Sequence, residues 1–346
     1  MAGCYLHIPF RHAPSDAARH RFLRAIRHDA TRRVAPHAAP DSVRTLLVGG
    51  PRPSRLGVRE LGDALRRLAS IPGTDALAEA TAEVHAADVA PADLPALADA
   101  GFTRLSLRPA TRARLDAPTS ALLEAARDVF NTASVDLCFG GPRPTLAQWR
   151  ALLDAVVSRD VAHVTLIEEP GGPPERAERG FALAQEQLSE AGFRPYELTH
   201  WARPGHESRH IVHQYAYGSI LGLGPGAGSF WRGPGADLPV FRTRTAACPD
   251  RYAARLARGA SPLAHRRRLP RRTRACEYLM LRLRTADGLA LQTLHHDYGI
   301  DLPRDHGPLL ERLQTAGHLV RTNGHLRLTR SGRALADGVI AALLPS

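Results

Sequence analysis

The chain has 346 residues, 44% of them hydrophobic, enough for one large core plus a smaller domain and too apolar for long intrinsic disorder. Its formal charge is +12, yet it holds no lysine: all 46 basic residues are arginine, which excludes a Schiff-base nucleophile and a Walker-type phosphate loop. No apolar run reaches the ~18 residues of a membrane span, and the N-terminus lacks the basic-then-apolar order of a signal peptide, so a cytoplasmic protein is expected.

From the N-terminus, short apolar β-type runs at 3–9, 44–48, 79–84, 104–107, 134–139 and 163–167 alternate with helical patterns at 17–34, 57–70, 90–100, 120–130, 146–158 and 174–191. Several of these helices are introduced by Asp, Ser, Thr or Pro. Six βα units predict an α/β fold, a partial TIM-like (β/α)6 barrel whose functional residues sit at the C-terminal ends of the strands. A Gly/Pro-rich stretch at 222–239 breaks the rhythm, and an Arg-rich linker at 265–274 leads to a different pattern. Helices at 273–285, 290–298 and 306–316 precede a hairpin, 318–322 and 325–329 around Asn323-Gly324, and a last helix. That order is the outline of a small α+β winged-helix-like domain. The expected organisation is a barrel over 1–232, a connector over 233–270 and the C-terminal domain over 271–346.

Four cysteines, Cys4, Cys138, Cys248 and Cys276, lie far apart without a Cys-x2-Cys pair, so neither a zinc knuckle nor a disulfide framework is indicated. The cationic charge favours polyanions as nonspecific partners. An Arg-rich chain crowded with Ala, Gly and Pro is also what a GC-rich gene yields, which weakens that argument.

The opening strand reads Gly3-Cys4-Tyr5-Leu6-His7-Ile8-Pro9-Phe10 and continues to Arg11, Ser15 and Ala18. It resembles the start of radical S-adenosylmethionine (SAM) proteins of the HemW type, heme chaperones related to oxygen-independent coproporphyrinogen III oxidase, which read Tyr-x-His-x-Pro-Phe-Cys-x3-Cys-x2-Cys. In that family the three thiolates hold a 4Fe–4S cluster on which SAM binds. Tyr5 and His7 match, but the cysteine positions carry a cation, a hydroxyl and a methyl group, so a cluster is expected to be absent. His12, Asp16 and His20 are nearby donors at irregular spacing, read as solvated loop.

The resemblance continues along the strands. Gly49-Gly50-Pro51-Arg52-Pro53-Ser54 is similar to the family's Gly-Gly-Gly-Thr-Pro-Ser loop, with Pro51 and Arg52 ill suited to SAM. Glu83 keeps the carboxylate after the third strand, and Asp136 the one on the fifth, whereas Arg104-Leu105-Ser106-Leu107-Arg108 has lost the glutamine that follows in the family. The resemblance therefore implies cofactor contacts at Tyr5, His7, Gly49, Gly50, Glu83 and Asp136. On the residues alone, Glu83 and Asp136 read equally well as helix caps or partners of arginine.

The densest match is Tyr196-Glu197-Leu198-Thr199-His200-Trp201-Ala202-Arg203-Pro204-Gly205-His206-Glu207-Ser208-Arg209-His210, followed by Leu221-Gly222-Leu223-Gly224-Pro225-Gly226-Ala227. The heme chaperones carry a heme-associated His-Asn-x2-Tyr-Trp motif here, so the resemblance implies His210 as a heme-iron ligand. Trp201, Tyr215 and Tyr217 would pack on the macrocycle, Arg203 or Arg209 would meet propionates, and His206 and His213 are secondary candidates. A histidine in a Pro-Gly loop that only hydrogen-bonds backbone is the alternative. The implied function is a non-catalytic heme- or porphyrin-binding protein serving a heme-receiving client or an intact paralogue. Two rivals stand beside it: a basic winged-helix nucleic-acid-binding or interaction module, and a residual SAM-binding coproporphyrinogen oxidase-like enzyme.

Overall fold

Period-two alternation along six strands builds the centre of the molecule. The computed structural model describes residues 2–34, 43–71, 74, 77–232 and 239–344. Strands β1 (Ala2–His7), β2 (Val43–Gly49), β3 (Glu79–His85), β4 (Arg104–Arg108), β5 (Thr132–Phe139) and β6 (His163–Glu168) lie side by side in that order and parallel. Helices α1 (Asp16–Arg33), α2 (Val58–Ala69), α3 (Leu94–Asp99), α4 (Ala117–Val129), α5 (Leu146–Val157) and α6 (Pro174–Glu190) follow them in turn. Leu6, Leu46, Val48, Ala82, Leu105, Leu107, Val135, Leu137 and Val164 form the outward rows and are buried with the helices in one core. The intervening rows carry Tyr5, His7, Glu79, Glu83, Arg104, Ser106, Asp136 and His163, so the barrel interior is polar and titratable. Local signals start the helices: Ser15 caps α1, Asp116 caps α4, and Thr145 with Gln148 forms a reciprocal capping box on α5.

The six-unit barrel stands as expected, within a larger sheet. Beyond β6 come β7 (Arg194–Pro195) and β8 (His200–Ala202), which run antiparallel. Helix α7 (Arg209–Tyr215) then crosses to β9 (Ser219–Leu223), which pairs parallel to β1. Strands β10 (Gly228–Trp231) and β11 (Phe241–Thr245), helix α8 (Pro249–Ala257) and strand β12 (Leu263–Arg268) complete that side, giving this sheet twelve strands among the described residues. Two expectations are corrected here. The Gly/Pro-rich stretch 222–239, of which 233–238 fall outside the described residues, includes β10, because its glycines permit close backbone approach: a Cβ on Gly222 would lie 2.1 Å from the Gly228 carbonyl oxygen. The Arg-rich linker is strand β12 and the start of a helix, and the connector 233–270 carries two sheet strands. Arginine stems suit an exposed edge strand, whose charged row also blocks further pairing.

The C-terminal part follows its expected order: α9 (Arg271–Leu283), β13 (Leu289–Ala290), α10 (Leu291–Tyr298), α11 (Leu302–Thr315), β14 (Leu319–Thr322), β15 (His325–Leu328), α12 (Arg330–Ala334) and α13 (Ala336–Leu343). Asn323 and Gly324 both adopt positive φ, 50° and 74°, as a two-residue hairpin turn demands. Helix α11 begins four residues earlier than its pattern suggests, because Asp301 caps it and the backbone kinks at His306 ahead of Pro308. Leu279, Leu283, Leu294, Leu326 and Ile340 form a second core, to which the barrel contributes Leu198 and Tyr217. Among the described residues no helix is long and apolar enough to cross a membrane.

Candidate functional site

The segment with the densest motif closes the N-terminal end of the barrel, opposite the end where a site is expected. Its anchor is Glu79, the first residue of β3, which accepts hydrogen bonds from Ser208 Oγ at 2.8 Å, Arg209 N at 2.9 Å and His210 N at 3.0 Å. A carboxylate thereby satisfies the free N–H groups at the start of α7. Arg104 lies 3.9 Å from Glu79 and donates to the His206 carbonyl oxygen at 2.9 Å. His163 bridges Ser134 Oγ (2.6 Å) and Tyr196 OH (2.9 Å), and burial, then the Arg104 cation, holds its pKa well below the ordinary value.

His210 is therefore a buried helical residue, 2% exposed, rather than part of a Pro-Gly loop. Its Nδ1 pairs with Thr45 Oγ1 at 3.0 Å, so backbone hydrogen bonding is not the role of its ring. Burial pushes its pKa down to about 4, against an opposing pull from Glu79, which keeps the imidazole neutral near pH 7. The secondary candidates are committed elsewhere: His206 Nδ1 to Thr132 Oγ1, and His213 Nε2 to the Ser219 carbonyl oxygen.

At the C-terminal end, the SAM-type residues come together with altered chemistry. Gly50 N donates to Glu83 Oε2 at 3.2 Å, and a Cβ on Gly49 would lie 2.6 Å from the same oxygen, so the paired glycines make room for that carboxylate. Asp136 accepts from Ser106 Oγ at 2.8 Å. Neither acid caps a helix. Burial and then the neighbouring Asp136 raise Glu83 to about 7, partly offset by Gly50 N–H and Arg108. Tyr5 OH and His7 Nδ1 face each other at 3.0 Å. Arg52, the bulky departure from the family loop, forks onto Asp88 at 2.7 and 2.8 Å while Ser54 adds 2.8 Å. Arg108 lines a cavity of about 320 Å³ at this mouth with Arg52, His85, Arg112, Asp136 and Cys138.

The cysteine positions do not suit a cluster. Arg11 is exposed and is no ligand, Ser15 spends its hydroxyl on the α1 cap, and Ala18 has no donor. Asp16 pairs with Arg19, and among the described residues no group of three His, Cys, Asp or Glu side chains is arranged to hold a metal ion. The cysteines that exist lie elsewhere, Cys4 buried with its thiol pushed up to about 12 by burial.

Between β1, β9, β10 and α9 lies a cavity of about 600 Å³, within the roughly 300–1,000 Å³ common for small-molecule sites. His210, Tyr5 and Glu83 reach it from the barrel; Leu47, Ile220, Met280 and Leu281 supply apolar lining. Tyr217 and Phe230 form one wall, their rings 4.4 Å apart. At the rim, Arg242 and Tyr217 OH both donate to Glu277 Oε2, at 3.0 and 2.8 Å. The set combines a neutral imidazole, an apolar and aromatic lining and an Arg242–Glu277 ion pair at the rim. Several expected contacts are corrected: Arg203 pairs with Asp160 and covers Phe193, Arg209 has its backbone on Glu79, and Trp201 is fully buried. None of these three, nor Tyr215, lines the cavity. Phe230, Arg242 and Glu277, which do, escaped sequence reasoning because each comes from a different element; only the alternation Phe241-Arg242-Thr243-Arg244-Thr245 gave a local signal.

The profile of the HemN C-terminal domain family matches residues 269–335. A protein named heme chaperone HemW from Mycobacterium tuberculosis is 29% identical over 384 residues, covering 99% of this chain and 94% of the relative. Heme chaperone HemW from Bacillus subtilis is 24% identical over 390 residues, with 99% of both chains covered. The structure of Escherichia coli coproporphyrinogen III oxidase (HemN), described as a radical SAM enzyme, superposes with a TM-score of 0.80 at 18% identity, covering 99% of this chain and 90% of that one. That likeness fixes the fold.

Proposed function

Because the chain is HemW-like, a divergent member of the coproporphyrinogen III oxidase-like radical SAM family without the Cys-x3-Cys-x2-Cys motif, we propose that it binds heme or a porphyrin without performing radical chemistry. Its role is then heme trafficking or regulation, with a heme-receiving client or an intact paralogue as the protein partner. The observation that carries the reading is a neutral, buried His210 lining a largely apolar cavity of suitable size. Heme bound there would supply a ligand-accepting iron; His210 would offer it a nitrogen, and Thr45, through Nδ1, sets the ring's orientation. Tyr217 and Phe230, packed on each other, give the macrocycle an aromatic wall. The departures at Arg11, Ser15 and Ala18, with Arg52 tied to Asp88, support loss of the cluster and of the SAM site.

Hemin titration followed through the Soret band, on the wild type and on His210→Ala, tests the proposal. A saturable one-to-one transition lost in the variant is the expected result. Weak, nonsaturating binding that ignores the substitution defeats it and favours a polyanion-binding or interaction protein.

A further inference from the structure

The edge of the sheet beside the cavity carries a ladder of cations. In the β11–β12 pair, Arg242 stands opposite Arg267 and Arg244 opposite His265. Directly opposed residues share a face, and residues two apart along a strand share it too, so Arg242, Arg244, His265 and Arg267 form one row. That face looks toward the cavity and the barrel. Arg242 is a lining residue, and the charge of Arg244 is felt by His7, whose pKa burial and Arg244 together lower.

Like charges directly opposed across strands destabilise a sheet unless an anion intervenes. Here the protein supplies one carboxylate, Glu277, and it is engaged by Arg242 and Tyr217 at the inner end of the row. Arg244 makes a hydrogen bond of 3.3 Å to the Gly226 carbonyl oxygen, which leaves its charge uncompensated. Among the described residues no ion pair joins Arg244 or Arg267 to a carboxylate. The outer row differs: Arg266 lies over the Phe241 ring at 4.2 Å. The exposed, cavity-side cations are thus placed to receive an acid group from a ligand whose apolar body fills the cavity.

We infer that Arg244 and Arg267, continuing from Arg242, form the carboxylate-recognition edge of the cavity and select tetrapyrroles by their propionate side chains. The inference rests on the porphyrin-binding reading and refines it, replacing Arg203 and Arg209 as the candidate propionate partners. Guanidinium–carboxylate hydrogen bonds are charge-assisted, so each one formed at a partly exposed edge is worth roughly a tenfold change in affinity.

The test compares hemin with its dimethyl ester, in which both carboxylates are blocked, on the full-length wild type, on Arg244→Gln/Arg267→Gln and on a control with Arg312→Gln/Arg321→Gln in the C-terminal part. The wild type is expected to bind hemin at least about tenfold more tightly than the ester. The edge variant, which removes two guanidinium groups, should lose up to about a hundredfold for hemin and almost nothing for the ester, so that the two ligands converge; the control should behave as wild type. Equal binding of both ligands by the wild type overturns the inference while leaving the porphyrin reading intact, as does an edge variant that weakens both ligands alike. Absence of saturable hemin binding by the wild type overturns reading and inference together.

Discussion

Removing the Glu79 carboxylate is the sharpest test of how the barrel floor is held. Glu79 is 6% exposed and takes hydrogen bonds from three donors at the start of α7, beside an Arg104 that is 4% exposed. Glu79→Ala removes all three acceptor contacts and leaves Arg104 buried without its nearest anion, a class of lesion that costs about 3–5 kcal/mol. With an unfolding entropy near 2.1 cal/mol/K per residue, a chain of 346 residues changes its Tm by about 1.4 °C per kcal/mol, so a drop of about 4–7 °C is expected. Glu79→Gln keeps an acceptor oxygen without the charge and should fall about half as far. Since His210 receives its backbone position from the same carboxylate, Glu79→Ala should also weaken hemin binding by about tenfold at temperatures where the variant is folded. Differential scanning calorimetry and the Soret titration read the two effects. A Glu79→Ala protein that melts within about 1 °C of the wild type would refute the argument that this carboxylate anchors the floor.

Glu83, raised to about 7 from an ordinary 4.5, binds a proton more readily folded than unfolded, so its contribution to stability declines as pH rises from about 4.5 to 7. That contribution is of order 3 kcal/mol at most, and Glu83→Gln should abolish it, making the variant gain stability relative to the wild type over that window in urea melts; parallel curves would count against a buried, elevated Glu83. Asp29, fully buried, holds Arg33 at 2.6 and 2.9 Å and accepts from Tyr252 OH at 2.5 Å, tying α1 to α8, so Asp29→Ala should cost about 3–5 kcal/mol in urea titration and Asp29→Asn less. Anaerobic reconstitution with iron and sulfide should leave no stoichiometric 4Fe–4S absorption and no SAM cleavage; a cluster that cleaves SAM would reverse the reading of Arg11, Ser15 and Ala18.

The βα rhythm was legible because it rests on local physics. Apolar rows two apart fill one side of β1–β6, and caps such as Ser15 and Asp116 lie within three residues of what they satisfy. The hairpin at Asn323-Gly324 is legible for the same reason. Strand β12 was not, since five of its six residues are exposed and its row of arginines carries no burial pattern. The site was legible only in pieces. His210 stood out as a residue, but its position depends on Thr45 and Glu79, 165 and 131 positions away in sequence. The Arg52–Asp88 fork explains a substitution that reads from sequence as mere bulk.

The distribution of change between the two ends of the barrel bears on where function resides. At the mouth, two residues that depart from the family pattern have partners within this chain: Arg52 on Asp88 and Ser15 on the α1 N-terminus. Both pairings are made between groups of the chain itself. At the other end the matching segment 196–210 closes the barrel through hydrogen bonds to Glu79 and Arg104, and these deliver His210 to the side cavity, where its ring pairs with Thr45. Buried polar networks are costly when incomplete, and a floor needed only for stability is served as well by apolar packing. On the proposed reading, the His210 imidazole, the Tyr217–Phe230 pair and the arginine edge meet at the cavity between β1, β9, β10 and α9.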